Sequence, residues 1–115
     1  MAARILLTED DEDVRTLVEN ALLDEGYQVD ATETVAGALS LLDVQPYDLL
    51  LTDGWLPDGT GLMIAAKAKR RAVKVVVFTG CAHTFPREEL AEYTVLAKPA
   101  DMDVVVQVVA RVIST

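Results

Sequence analysis

Asp53 is the residue around which chemistry can be built. It follows the apolar run Leu49-Leu50-Leu51, and Pro57-Asp58-Gly59 supplies turn residues just beyond it. The run is too short for a helix and is bounded by turn residues, so it reads as a buried strand. Asp53 is then the first polar group past the carboxyl end of a core strand, and open α/β sheets build their sites on that edge. The same edge collects Glu9 and Asp10 after Ile5-Leu6-Leu7-Thr8, Thr79 after residues 73–78, and Lys98 after residues 94–97. The three carboxylates of Glu9, Asp10 and Asp53 repel one another unless a cation neutralises them. The donors are hard oxygens, with no His or Cys among them, which points to Mg2+. The Trp55 carbonyl, two residues past Asp53, can reach the same ion. Such a set suits phosphoryl transfer to a carboxylate, with Asp53 attacking an activated phosphoryl group to form an acyl phosphate. Mg2+ and Lys98 would neutralise the equatorial oxygens. Thr79, placed on the loop after its strand, can move to donate its hydroxyl to one of them.

The elements that must position these groups alternate along the chain. Residues 5–8 read as a first strand, and Val14, Leu17, Val18, Leu22 and Leu23 then recur at helical spacing up to a C-capping Gly26. Residues 27–31 form a weaker second strand. A helix over 34–43 places Val35, Ala38, Leu39 and Leu42 on one face, and Pro46 separates it from the strand over 48–52. The helix over 61–71 turns Leu62, Ile64, Ala65 and Ala68 inward and gathers Lys67, Lys69, Arg70 and Arg71 near its carboxyl end, which suits the helix dipole. Residues 73–78 are rich in β-branched side chains and form the clearest strand. Residues 86–91 supply one or two helical turns, and 94–97 a fifth strand. Asp101 or Asp103 caps a last helix running to about Ser114, with Val104, Val105, Val108, Val109 and Val112 as its buried face. Strand–helix alternation implies an α/β fold: a doubly wound, five-stranded parallel sheet with right-handed crossovers and helices on both faces. With no internal repeat or linker, residues 1–115 read as one domain with no attached output domain.

Composition narrows the functional classes. The 115 residues are 51% apolar, enough for a core that needs no staples. A net charge of −9 argues against direct binding to nucleic acid or to an anionic membrane surface. No stretch approaches the roughly 20 apolar residues of a membrane span, and the apolar run near the start is too short for a signal peptide. A single cysteine excludes an intramolecular disulfide and fits a reducing compartment, so a cytoplasmic location is expected.

The combination of Ile5-Leu6-Leu7-Thr8-Glu9-Asp10-Asp11, Asp53 with Leu56-Pro57-Asp58-Gly59 and Gly61, Thr79-Gly80, and Lys98-Pro99 resembles the receiver domain of two-component response regulators, over essentially the whole chain. Each motif alone is weak; the full set in this order, each ending a strand, is specific. The resemblance implies a flavodoxin-like fold with strand order 2-1-3-4-5. It implies Asp53 as phosphoacceptor, Glu9 and Asp10 as Mg2+ acids, Thr79 as switch hydroxyl and Lys98 as phosphate-binding ammonium. It also implies a phosphohistidine donor on a sensor histidine kinase or phosphotransfer protein, and a downstream protein partner. The chain departs from the family pattern in carrying Val95 where an aromatic is common, and Gly80 where Ala is usual. The intervals from Asp53 to Thr79 and from Thr79 to Lys98 are a few residues short, so residues 81–86 replace much of the fourth helix. Phe78-Thr79-Gly80 loosely resembles a variant found in receivers that lack the aromatic switch.

Other readings of these residues stand beside this one. Asp11, Glu12 and Asp13 suit a helix amino terminus, with Asp11 or Asp13 as N-cap. His83 reads as a surface residue and Cys81 as a small loop residue close to the site. Trp55 reads as partial core that can also influence the lifetime of an acyl phosphate. An aspartate-nucleophile phosphatase would need a second acid where Trp55 stands. A dinucleotide or flavin binder would need glycines or hydroxyls in place of Glu9-Asp10-Asp11. A receiver-like interaction module acting without phosphorylation remains the alternative function.

Overall fold

The computed structural model describes residues 2–115. Five parallel strands form the central sheet: β1 (Arg4–Thr8), β2 (Gln28–Thr32), β3 (Leu49–Thr52), β4 (Lys74–Thr79) and β5 (Thr94–Ala97). Their order is β2-β1-β3-β4-β5, as the resemblance implies. The helices are α1 (Glu12–Asp24), α2 (Val35–Val44), α3 (Gly61–Arg70), α4 (Arg87–Leu90) and α5 (Met102–Ser114).

The sheet separates two apolar layers. Leu6, Leu50 and Val77 point to the α2–α3 side and meet Ala38, Leu42, Ile64 and Ala65. Ile5, Leu7, Leu49, Leu51, Val76 and Phe78 point to the α1–α5 side and meet Val18, Leu22, Val105 and Val109. Parallel strands covered on both faces read as continuous apolar runs, which is why residues 49–51 carry no alternation. Full burial of each such leucine contributes about 1.5–3 kcal/mol relative to exposure.

Several expectations need correction. Of the apolar positions expected on the inward faces, Val18 and Leu22 of α1 and Val105 and Val109 of α5 are buried, while Leu17, Leu23 and Val104 are exposed. A helix of 3.6 residues per turn can bring only some of a dense apolar run onto the sheet. Trp55 is half exposed and not core. Thr79 is not on a loop: it is the last residue of β4 and is 2% exposed. Asp101 is the N-cap residue of α5. The shortening of the fourth helix holds, since α4 has 4 residues, preceded by a 3-10 turn at Ala82–Thr84.

Pro57-Asp58-Gly59 does more than turn the chain. Trp55–Leu56 and Gly59–Thr60 pair as an antiparallel hairpin. At its tip the Asp58 carboxylate accepts from the Val35 N–H at 2.7 Å and the Ala36 N–H at 3.0 Å. Thr34, the N-cap residue, accepts from the Gly37 N–H. A residue from a distant loop thereby satisfies two of the orphan amides at the start of α2. These bonds from Ala36 and Val35 hold the Asp58 carboxyl below the usual carboxylate range. A lowered folded value means a stabilisation that is present above the unfolded carboxyl's range and lost as pH falls through the folded one. Asp58→Ala is therefore expected to lower the melting temperature at neutral pH. The gap to wild type should narrow in acid, as followed by circular dichroism; an equal gap at both pH values would remove the ionised carboxylate from the cap.

Candidate functional site

The sheet ladder runs one residue past three strands and fixes the backbone of the site. The Glu9 N–H donates to Thr32 O at 3.0 Å, the Asp53 N–H to Thr8 O at 2.9 Å, and the Lys98 N–H to Thr79 O at 3.1 Å. Parallel register thus delivers the three residues to one edge, each anchored to the last carbonyl of a neighbouring strand. Carboxylate oxygens of Glu9, Asp10 and Asp53 lie within 4.8 Å of one another. Glu9 is buried, Asp53 half-buried and Asp10 exposed.

Lys98 bridges two of these acids. Its Nζ donates to Glu9 Oε1 at 2.6 Å and to Asp53 Oδ2 at 3.0 Å, and it lies 5.2 Å from the centroid of the Phe78 ring. Phe78 thereby closes the apolar side of the ammonium, a cation–π contact the sequence did not suggest. The other oxygens are also held. Glu9 Oε2 accepts from the Asp11 N–H at 3.1 Å, and Asp53 Oδ1 from the Gly54 N–H at 2.6 Å. Arg15 donates to the Glu9 carbonyl at 2.9 Å and pins the turn that carries both acids. Asp11 is the N-cap of α1, accepting from the Asp13 and Val14 N–H groups, so Glu12 and Asp13 stand in the first turn, where acids favour the dipole.

Burial raises the Glu9 carboxyl above its ordinary value; the Lys98 hydrogen bond opposes this and the Asp53 charge adds to it. Burial alone would weaken the Lys98 ammonium, but its hydrogen bonds to Glu9 and Asp53 outweigh that and raise it. The pocket sets three carboxylates against one ammonium, so it favours a proton or a further cation. The all-oxygen donor set fits Mg2+.

Thr79 Oγ1 accepts from the Cys81 N–H at 3.1 Å. The Trp55 indole stacks on Phe85 with centroids 5.0 Å apart and donates to Thr84 Oγ1 at 2.8 Å. Phe85 and Thr84 were not singled out from the sequence; no local spacing links them to Trp55. Gly61 is fixed by a close approach: its N–H donates to Gly54 O at 2.8 Å, and a Cβ there would run into the Asp53 carbonyl oxygen.

A doubly wound sheet gathering three carboxylates, a buried hydroxyl and a lysine on its carboxyl edge is laid out as a phosphoacceptor signalling module. The family model described as the response regulator receiver domain matches residues 5–110, and the chain belongs to that family. Response regulator receiver protein CpdR of Brucella abortus (strain 2308) is 38% identical over 81 residues, covering 69% of this chain and 68% of that protein. The TorCAD operon transcriptional regulatory protein TorR of Escherichia coli O157:H7 is 35% identical over 81 residues, 70% of this chain but only 35% of that longer protein. Among solved structures, the receiver domain of the sensor histidine kinase PA1611 of Pseudomonas aeruginosa PAO1 superposes with a TM-score of 0.87 at 26% identity, covering 100% of both chains. That structure holds a magnesium ion in its active-site cleft.

Gly61→Ala is expected to displace the Asp53 turn and to destabilise the protein by about 1–3 kcal/mol, as overpacking does. Urea unfolding measures the loss; an unchanged midpoint would mean the turn relaxes freely.

Proposed function

We propose that Asp53 accepts a phosphoryl group from a phosphohistidine on a sensor histidine kinase or phosphotransfer protein. The observation that carries this reading is the carboxylate of Asp53 held between the Lys98 ammonium and the Gly54 N–H, beside two further acids. An Asp53 oxygen attacks phosphorus, the P–N bond breaks, and its electron pair leaves with the imidazole. Lys98 neutralises charge on the transferred group. Thr79 supplies a hydroxyl to one phosphoryl oxygen. Glu9, Asp10 and Asp53, with the Trp55 carbonyl, are the residues proposed to hold Mg2+. The ion would supply charge neutralisation at the phosphoryl oxygens. The only reactions assigned to the chain itself are phosphorylation and dephosphorylation of its own aspartate. Phosphorylation then shifts the population of a partner-binding surface. No helix among the described residues is long and apolar enough to cross a membrane, and a cytoplasmic setting matches the proposed donors.

Intact-mass analysis after incubation with acetyl phosphate tests this. Wild type is expected to gain one phosphoryl group only when Mg2+ is present, and Asp53→Asn to gain none while keeping the wild-type circular dichroism spectrum. No addition from acetyl phosphate or from a phosphorylated histidine phosphotransfer protein would favour an interaction module that works without phosphate. Asp10→Asn is expected to weaken Mg2+ binding in a calorimetric titration; an unchanged affinity would strike Asp10 from the ligand set.

A further inference from the structure

Three side chains of the site share one face of the sheet with an aromatic ring. Ile5, Leu7, Leu49, Leu51 and Leu96 pack on the α1–α5 side, so by the two-residue period of a strand Glu9, Asp53 and Lys98 continue on that side. Phe78 of β4 belongs to the same layer. The register pairs Thr8 with Thr52 and Thr52 with Val77, so one step further Glu9, Asp53 and Phe78 come level; Phe78 in turn pairs with Leu96. Lys98 stands two residues past Leu96, on the far side of β4 from both acids. To reach Glu9 Oε1 at 2.6 Å and Asp53 Oδ2 at 3.0 Å its side chain has to cross β4. The residue it crosses is Phe78, and the ammonium comes to rest 5.2 Å from the ring centroid.

An aliphatic side chain would also bury apolar area here. What a ring adds is a negative face toward the ammonium. Phe78 is 4% exposed and the Lys98 side chain 23%, so the contact is partly desolvated, which strengthens it. Two carboxylates also hold the ammonium, but these are the attractions that the reaction consumes. The acids give up charge to a bound cation, which itself repels the ammonium. One Asp53 oxygen then becomes the bridging oxygen of an acyl phosphate. A lysine released from its partners regains side-chain freedom and hydration in solvent. The ring keeps its attraction through both changes, because neither alters its own charge distribution.

We propose that Phe78 is a positioning residue for phosphoryl transfer: the face of its ring keeps the Lys98 ammonium aimed at the phosphoryl oxygens after the charge of the acids has been taken up. This rests on the reading of Asp53 as phosphoacceptor. It goes beyond that reading in assigning the placement of Lys98 to a core side chain and not to the acids alone.

Two readouts separate this role from packing. The first needs no phosphoryl donor. Protein isotope-labelled at the lysine Cε is titrated with Mg2+ and followed by NMR, with Lys98 assigned by the resonance missing from Lys98→Arg. Groups over an aromatic face are shifted upfield by the ring. Wild type is expected to keep that shift at saturating Mg2+, and Phe78→Leu to lack it throughout. Loss of the shift in wild type as Mg2+ binds overturns the proposal and leaves Asp53 standing as acceptor. The second readout places mono-, di- and trifluorinated phenylalanine at position 78 alone, since each fluorine drains the ring face with little change in size. The rate of phosphoryl addition from acetyl phosphate with Mg2+ is followed by intact mass, and the melting temperature by circular dichroism. The logarithm of the rate is expected to fall in step with the number of fluorines, by about three- to tenfold at three, while the melting temperature stays near that of wild type. Equal rates across the series overturn the proposal and make Phe78 core packing. If wild type takes up no phosphoryl group, the acceptor reading fails and the role in transfer fails with it; the Mg2+ titration then decides separately whether the ring holds the lysine.

Discussion

The Lys98 ammonium between Glu9 and Asp53 is the interaction on which the site depends. It joins the ends of β1, β3 and β5, and its two partners lie 89 and 45 residues away along the chain. At separations of 2.6 and 3.0 Å each attraction is of the order of 5–6 kcal/mol at an effective dielectric of about 20. Desolvation of the groups offsets much of that gain. The bridge therefore adds little net stability. What it does is keep two like charges side by side, which no apolar replacement could do. The sheet supports it: the amides of Glu9, Asp53 and Lys98 are already fixed by strand carbonyls, so the bridge orders only side chains.

Most of this geometry could be read in the chain, because it follows from strand ends. A parallel sheet puts the residues after each strand on a common edge, so a run such as Leu49-Leu50-Leu51 followed by Asp53 locates a site residue with no knowledge of its neighbours. What could not be read depends on pairs far apart in sequence with no periodic signal. Asp58 caps α2 from 23 and 22 residues away, and Trp55 meets Thr84 across 29. Arg15, on the exposed side of α1 by pattern alone, reaches back to the Glu9 carbonyl. The error over Leu17 and Leu23 has a different cause. An apolar run denser than one helix face leaves the choice of face to packing, and the position of the sheet decides it. Thr79 was misplaced for a third reason: strand ends are the least determined feature of a β-branched run, and β4 extends one residue further than its apolar stretch.

The two edges of the sheet are built differently. At the amino edge, Tyr47 donates to Asp30 at 2.7 Å, Arg4 pairs with the same carboxylate at 3.4 Å, and the Arg4 N–H is held by Asp48. Burial, then the hydrogen bond to Asp30, pushes the Tyr47 hydroxyl well above its ordinary range. Arg4 and Asp30 form an ion pair there, and the Asp48 carboxylate is taken up by a backbone amide. At the carboxyl edge the acids outnumber the ammonium, and one of them, Asp10, projects into solvent. At the amino edge the carboxylates of Asp30 and Asp48 each accept a hydrogen bond from a neighbouring strand or loop. The carboxyl edge is left electrostatically incomplete, in the direction that draws cations.

That imbalance has to be borne by some part of the fold. Carboxylate oxygens within 4.8 Å of each other repel by at least about 3.5 kcal/mol per pair at an effective dielectric of about 20. Two buried leucines offset roughly that much, and β1 and β3 together bury six apolar side chains, Ile5, Leu6, Leu7, Leu49, Leu50 and Leu51, at 0–2% exposure. The repelling acids are attached to these two strands, where apolar cover is thickest. The thinly covered elements lie on the β5 side: α4 has four residues, and Val95 is left partly exposed. Local opening is cheapest where few apolar contacts are broken. A change of charge at Asp53 therefore meets a rigid centre on one side and a loosely held margin on the other, and the margin is where a structural response can occur without unfolding the sheet.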